Sequence, residues 1–228
     1  MSHKINPFII VDFETGGLKS KINPATEVAM LCLDGITLQE VGRYESYIQP
    51  YLYEYDQKAL DYTNITMEKL KNEGKPLQQV GNEMMENLKD WYSKTTNSYA
   101  KKPILVGHNV NFDIGFLQQI FKETKNDIRK YLDGNDDFFG NYLPSYLDTM
   151  SLSKMAFGDD DNFTSYKLTN CITKAGLSIT DAHKAMNDVI ATKELFINFV
   201  NRMRSVNTQL EGQSGKKIRF RENYQFQM

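Results

Sequence analysis

The chain has 228 residues, of which 40% are hydrophobic and 25% are charged. This length suits one domain, or one domain with a tail, and the composition excludes collagen-like, coiled-coil and wholly disordered chains. The 27 lysines and arginines against 29 aspartates and glutamates give a net charge of −2. Binding of nucleic acid by a global positive field is thereby excluded, and any such binding must use a local basic patch or metal ions.

Three strands are predicted at the start of the chain. Residues 8–14 begin as an apolar run and stop at a pair of glycines, which predicts a buried strand. Residues 28–33 and the alternating segment 41–48 predict a second and a third strand. After Pro76, apolar residues recur every three or four positions, which predicts a helix with a core-facing stripe. The stripe consists of Leu77, Val80, Met84, Leu88 and Trp91.

Strands and helices then alternate to the end of the predicted domain. In chain order we expect a strand at 103–106, a helix at 112–121, a polar loop at 131–142, a strand at 145–149, a helix near 165–175 and a last long helix. The core stripe of the last helix is predicted to contain Ala185, Val189, Phe196, Phe199 and Met203. This order predicts an α/β domain whose mixed five-stranded sheet is flanked by helices. The domain is expected to span residues 1–204, followed by a tail at 205–228.

Two further features bear on cellular location. Cys32 and Cys171 lie beside apolar residues and in no zinc-binding spacing, so we expect buried free thiols in a reducing compartment. The first apolar run is too short for a signal-peptide core or for a membrane span. We therefore expect a soluble cytoplasmic protein that makes no membrane contact.

Four acidic residues and one histidine are candidates for chemistry. Asp12 and Glu14 lie two apart at the end of the first strand, so their side chains point to one face. Such a pair is either a solvated strand end or part of a metal site. Asp113 follows the fourth strand and opens a helix, either as an ordinary helix N-terminal residue or as a third ligand at the same sheet edge.

His183 and Asp188 are the remaining candidates. Residues five apart on a regular helix point about 140° away from each other. They share one site only if His183 lies on the loop before the helix and Asp188 on the helix itself. Four carboxylates suit two hard cations, Mg²⁺ or Mn²⁺, which can activate water against a phosphodiester. A histidine can accept the proton of that water near neutral pH.

Three segments of the sequence resemble the three motifs of the DEDDh exonuclease family. They are Val11-Asp-Phe-Glu-Thr-Gly-Gly-Leu18, Gly107-His-Asn-Val-Asn-Phe-Asp113 and His183-Lys-Ala-Met-Asn-Asp188, in the family's order and at similar separations. The family includes the proofreading subunit of bacterial DNA polymerase III and ribonuclease T. The resemblance covers roughly residues 7–200, and it implies a ribonuclease-H-like fold that removes nucleotides from 3′ ends with two metal ions. Residues 59–66 also resemble the loop that precedes a helical stretch in members of that family.

The resemblance also implies roles for individual residues. Asp12, Glu14, Asp113 and Asp188 would be the metal ligands, and His183 would be the general base. The position four before the last aspartate, where a second branch of the family has tyrosine, is Lys184 here, so the chain resembles the histidine branch. Thr15, Gly16 and Leu18 would contact the 3′-terminal nucleotide. Asn109 and Phe112 would line the substrate cleft. Phe112 is equally compatible with the core and with the cleft, and His108 is expected to be structural.

The tail combines basic and aromatic residues. From Arg202 onward the chain carries six basic and two acidic residues. Apolar side chains alternate between Ile218 and Phe226, which is compatible with an extended strand. The tail is compatible with an arm along a nucleic-acid backbone, an added strand on a sheet edge, a docking segment for a partner, or a segment that packs on its own domain.

The functional expectation is a metal-dependent 3′→5′ exonuclease that acts on single-stranded nucleic acid and releases nucleoside 5′-monophosphates. DNA is favoured as the substrate. An RNA-directed exoribonuclease and a non-catalytic nucleic-acid-binding scaffold are the alternatives. Expected partners are single-stranded 3′ ends of DNA or RNA, with a polymerase or a second copy of the chain as further possibilities.

Overall fold

A computed structural model describes residues 5–51, 53–95, 101–178 and 184–213, with side chains described up to residue 205. The strands are β1 Phe8–Thr15, β2 Ala25–Leu33, β3 Glu40–Tyr47, β4 Ile104–Gly107, β5 Gly134–Asp136, β6 Tyr142–Pro144 and β7 Tyr146–Asp148. The helices are α1 Gln57–Thr63, α2 Met67–Glu73, α3 Leu77–Thr95, α4 Asn111–Glu123, α5 Thr149–Phe157, α6 Leu168–Lys174 and α7 Ala185–Gln213.

Five of the strands form one mixed sheet in the order β3-β2-β1-β4-β7. The first three are an antiparallel meander, and β4 and β7 join in parallel through helical crossovers. The sheet confirms the predicted architecture. Because β1, β4 and β7 run in the same direction, their carboxyl ends meet at one edge of the sheet.

Apolar side chains cover both faces of the sheet. On one face, β1 and β2 pack against α3 and α4 around Trp91 and Phe116. On the other face, they pack against α7 around Phe196. A third cluster joins α5, α6 and α7 around Cys171 and Phe199. Because β1 and β2 are covered on both sides, they read as continuous apolar runs and not as alternating ones.

Most predicted elements are confirmed, with some corrections. The stripe of α3 is buried as expected at Val80, Met84, Leu88 and Trp91. The predicted stripe of α7 is wrong at its last position, because Met203 is 54% exposed. Both cysteines are buried and free, as expected. Among the described helices, none combines the length and the apolar character that a membrane crossing requires.

Two predicted loops contain regular structure. The segment 131–142, which we expected to be a polar loop, contains β5. Its antiparallel partner β6 begins at residue 142, and Asp137 lies in the turn between the two strands. The Asp137 carboxylate accepts hydrogen bonds from the backbone N–H groups of Phe139 and Asn141, both at 2.8 Å. The sequence did not predict β5 and β6, because each has only three residues and turn-forming residues surround them. The expected loop at 59–66 contains most of α1, which is capped by the Asp56 carboxylate.

Helix α7 continues to Gln213, across the predicted boundary after residue 204. The boundary at 204 stays a prediction, and residues 214–228 lie outside the described part of the chain.

Candidate active site

Three carboxylates meet where β1 ends and α7 begins. Asp12 and Glu14 extend from β1, opposite Ala29 and Glu27 of β2. Asp188 lies in the first turn of α7, which crosses that face of the sheet. One carboxylate oxygen from each of Asp12, Glu14 and Asp188 lies within 4.8 Å of the other two. Asp12 and Glu14 share one face because side chains alternate along a strand, and the start of α7 adds Asp188 to them. Asp12 and Asp188 are 176 positions apart in the sequence (188 − 12).

Asp113 approaches β1 from α4. It is a buried residue in the first turn of α4, and its Oδ1 accepts a hydrogen bond from the backbone N–H of Phe13 at 3.1 Å. That contact ties α4 to β1 between the two carboxylates of the strand. Asp113 is not among the three residues that share the 4.8 Å group, but its charge acts strongly on Asp12.

Burial and mutual repulsion disfavour the charged forms of these carboxylates. Burial, and then the charge of Asp113, raises the pKa of Asp12 well above its usual range. Burial and the nearby Asp188 raise the pKa of Glu14 to about 7. Burial also raises the pKa of Asp113, although the Phe13 N–H stabilises its charged form. A cluster of this kind carries either bound protons or a bound cation at neutral pH.

One acidic residue beside the site was not anticipated. Glu27 is buried on β2 opposite Glu14, and the backbone N–H of Ala185 at the start of α7 stabilises its charged form. Burial raises its pKa to about 6. The contact fixes the first turn of α7, which presents Asp188. An acid within an otherwise apolar strand was the signal in the sequence that points to this residue.

The residues after Glu14 form a tight loop at the same edge. The hydroxyl of Thr15 donates a hydrogen bond to the Gly17 carbonyl at 2.7 Å, and Gly17 has φ +153°, where an added Cβ would collide with Asn23. Thr15 and Gly16 are buried, whereas the side chain of Leu18 is 81% exposed. An apolar side chain therefore projects into solvent a few residues from the carboxylates.

The β4–α4 junction supplies the other two predicted contact residues. Asn109 adopts a left-handed conformation with φ 65°, and its backbone N–H donates to the Asp148 Oδ1 at 2.8 Å. Phe112 is partly buried and packs on Phe116 with ring centroids 5.0 Å apart. The ring thus contributes to the core while part of it stays accessible.

Of the two histidines discussed above, the structure describes His108 but not His183. The ring nitrogens of His108 lie 2.9 Å from the Thr149 Oγ1 and 2.8 Å from the Tyr166 carbonyl, so it links three segments of the fold. These contacts agree with the expected structural role. His183 lies outside the described residues, and α7 begins two positions after it, at Ala185. Its role as the base stays a prediction.

The mixed sheet in this order, flanked by helices, is a ribonuclease-H-like fold, and its carboxylates gather at one edge. Residues 9–196 match the family model named RNase_T and described as an exonuclease, and the chain belongs to that family. The family is one of exonucleases, and the match spans most of this chain.

Individual relatives extend this assignment. The chain is 29% identical over 199 residues to the DNA polymerase III PolC-type of Thermotoga maritima. The aligned region covers 87% of this chain but only 12% of that protein. The chain is 26% identical to ribonuclease T of Hahella chejuensis, over 87% of this chain and 85% of that one. The structure of E. coli Exonuclease I in complex with a dT13 oligonucleotide superimposes with a TM-score of 0.69 at 19% identity, over 92% of this chain and 44% of that one.

Proposed function

We propose that this protein is a metal-dependent 3′→5′ exonuclease that shortens single-stranded nucleic acid and releases nucleoside 5′-monophosphates. The observation that carries the proposal is the group formed by Asp12, Glu14 and Asp188, whose ligand oxygens lie within 4.8 Å of one another. The exonuclease family supplies the reaction class, and the carboxylate group supplies a place for that reaction on this chain.

The donor set fits divalent cations. Carboxylate oxygens are the ligands preferred by Mg²⁺ and Mn²⁺, and the raised pKa values of Asp12 and Glu14 fall when a cation neutralises the cluster. Asp12, Glu14, Asp113 and Asp188 would hold two such ions. When bound, the metals make water a better nucleophile and stabilise the charge that develops on the phosphate.

The remaining residues have proposed roles around these ligands. His183 would accept the proton of the attacking water. Thr15 and Gly16 would contact the terminal nucleotide through the backbone, and the exposed Leu18 would pack on its base. Asn109 and the accessible part of Phe112 would line the cleft on the α4 side, where an aromatic ring can stack on a base.

DNA is the favoured substrate, and a single-stranded 3′ end is the proposed partner. The PolC-type relative is a DNA polymerase, and the Exonuclease I structure contains a DNA oligonucleotide. The ribonuclease T relative, which matches over 85% of its length, supports RNA as the alternative. A polymerase or a second copy of this chain remains a proposed protein partner. A cytoplasmic location likewise stays an expectation, which the two buried free cysteines favour.

A cleavage assay tests the function directly. We expect 5′-labelled single-stranded DNA and RNA of one sequence to shorten from the 3′ end in Mg²⁺ or Mn²⁺, and EDTA to abolish the reaction. The faster polymer identifies the substrate. Binding without metal-dependent shortening of either polymer would contradict the proposal and support the scaffold alternative.

Variants of the cluster provide the control for that assay. Asp12→Asn should lower the cleavage rate by at least about a thousandfold, because it removes one ligand charge. His183→Ala should lower it by about a hundredfold or more. Asp159→Asn changes an exposed acid outside the site and should leave the rate unchanged. Full activity in either of the first two variants would show that the reaction uses another site.

A further inference from the structure

A buried polar network anchors the loop that follows β1, the strand that contains Asp12 and Glu14. This β1–β2 loop comprises residues 16–24 and contacts α4, which also carries Asp113. Gln119 lies on α4 with 7% of its surface exposed. Its Nε2 donates to the Asn23 carbonyl at 2.9 Å and also to the Ser20 carbonyl. One side chain thereby holds two carbonyl groups of the loop.

Tyr51 completes the network from the other side. Its hydroxyl donates to the Gln119 Oε1 at 2.8 Å and accepts from the backbone N–H of Ala25 at 2.8 Å. The carboxamide of Gln119 therefore uses both donors and its acceptor, and the Tyr51 hydroxyl uses its donor and an acceptor. Burial raises the pKa of Tyr51, so the phenol stays protonated and remains a donor. Such a satisfied network in a buried setting rigidifies the segments that it joins.

The loop is also fixed to the segment that begins with Tyr51. The Glu54 N–H donates to the Ile22 carbonyl at 3.0 Å, and the Asp56 N–H donates to the Gly16 carbonyl at 2.7 Å. At its closest approach the loop meets α4 at Gly115, where an added Cβ would lie 2.7 Å from the Ser20 Oγ. Gln119 is one turn further along the same face of α4. The helix that carries Asp113 therefore also holds the loop that carries Leu18.

We propose that Gln119 and Tyr51 are positioning residues that hold the β1–β2 loop in the shape that receives the 3′-terminal nucleotide. The inference rests on the proposed function, since the loop carries Gly16 and Leu18. A loop that is ordered before binding pays less conformational entropy when the nucleotide arrives. Disrupting the network should therefore weaken binding of the 3′ end more than it slows the chemical step.

Limited proteolysis measures how well ordered the loop is, and it does so independently of any enzymatic activity. Lys19 and Lys21 are exposed trypsin sites within it. In the full chain, Gln119→Leu and the milder Tyr51→Phe should speed tryptic cleavage at these two sites by about tenfold, because local opening becomes easier. Tyr44→Phe is the matched control, since the Tyr44 hydroxyl donates to the Glu83 carboxylate at 2.9 Å and not to the network that holds the loop. Unchanged cleavage in Gln119→Leu and Tyr51→Phe would overturn the inference.

Kinetics then separates positioning from general damage. At a temperature well below every melting point, we expect Gln119→Leu and Tyr51→Phe to raise KM about tenfold and to change kcat by less than about twofold. The Kd for a fluorescent oligonucleotide in EDTA should rise in parallel. A faster-cleaved loop with an unchanged KM and Kd would overturn the role in binding. An inactive wild-type chain would contradict the exonuclease proposal instead, while the trypsin and Kd measurements still decide the role of the network.

Discussion

At the scale of the residue, the carboxylate cluster determines how the site responds to pH and to metal. Asp12, Glu14 and Asp113 are all partly or wholly removed from water, and each raises the energy of its neighbours' charged forms. Glu27 adds a fourth buried acid from β2. Folding therefore places like charges together at a cost that a cation can offset.

This arrangement predicts a pH-dependent stability of the metal-free protein. The pKa of Glu14 is about 7 in the folded chain against 4.5 for the free group, so folding favours its protonated form. Its contribution is complete below about pH 4.5 and is lost as the pH rises to about 7. A tenfold change in proton affinity corresponds to about 1.4 kcal/mol, so the loss amounts to about 3 kcal/mol.

Thermal unfolding in EDTA checks this prediction. We expect the melting temperature to fall between pH 5 and pH 7 in the wild type, and to fall less in Glu14→Gln, which carries no titrating group at this position. Mg²⁺ at pH 7 should restore much of the lost stability to the wild type, because the ion binds only the folded cluster. Equal pH dependence in both proteins would contradict the assigned pKa of Glu14.

At the scale of the element, close packing sets how the sheet and its helices approach each other. Helix α3 lies against β3, and the indole of Trp91 rests on Gly42 of that strand. An added Cβ at Gly42 would lie 3.2 Å from Trp91 Cδ1 and Cε2 and closer still to Nε1. The missing side chain thus makes room for the largest residue in this face of the core.

A double-mutant cycle tests this contact. Gly42→Ala should destabilise the protein by about 1–3 kcal/mol, since the buried indole must move. In the Trp91→Ala background the same change should be neutral or slightly stabilising, because alanine is preferred over glycine within a strand. The free energy of unfolding from urea titrations gives both values. A cost that is the same in both backgrounds would show that Trp91 does not limit the space at Gly42.

At the scale of the whole molecule, the charge is distributed unevenly along the chain. The basic residues of the tail include Lys216, Lys217, Arg219 and Arg221, whereas the complete chain has a net charge of −2. The site itself is acidic, so attraction for a phosphate backbone must come from bound metal or from basic residues elsewhere. The tail is the densest source of such charge in the sequence.

Removing residues 214–228 tests whether the tail acts as a nucleic-acid arm. If its four cations each contact a phosphate, the salt dependence of single-strand binding should weaken by about 3 in the slope of log K against log salt. The rate of cleavage at saturating substrate should not change. An unaltered slope would favour the other interpretations, which are an added strand, a docking segment for a partner, or packing on the chain's own domain. A melting temperature close to that of the full chain would support a domain that does not need these residues.

Local patterns in the sequence were enough to predict the class of fold, because hydrophobic periodicity is a property of short segments. The resemblance of three motifs to a known family supplied the candidate ligands. The apolar run of β1 and the positions of Asp12 and Glu14 predicted a strand with two carboxylates on one face. The order of strands and helices predicted the mixed sheet. The short β5–β6 hairpin and α1 were missed, since a few turn-forming residues outweigh a short pattern.

Which distant residues act together depends on how the elements pack, and the sequence pattern does not show this. Nothing in the local pattern places Glu27 at the start of α7, because that contact depends on the register of β1 and β2 and on the helix that crosses them. The same holds for Gln119 and Tyr51, which lie 68 residues apart and meet under the β1–β2 loop. Hydrogen bonds between buried side chains follow from how elements pack, and packing is set by the whole chain.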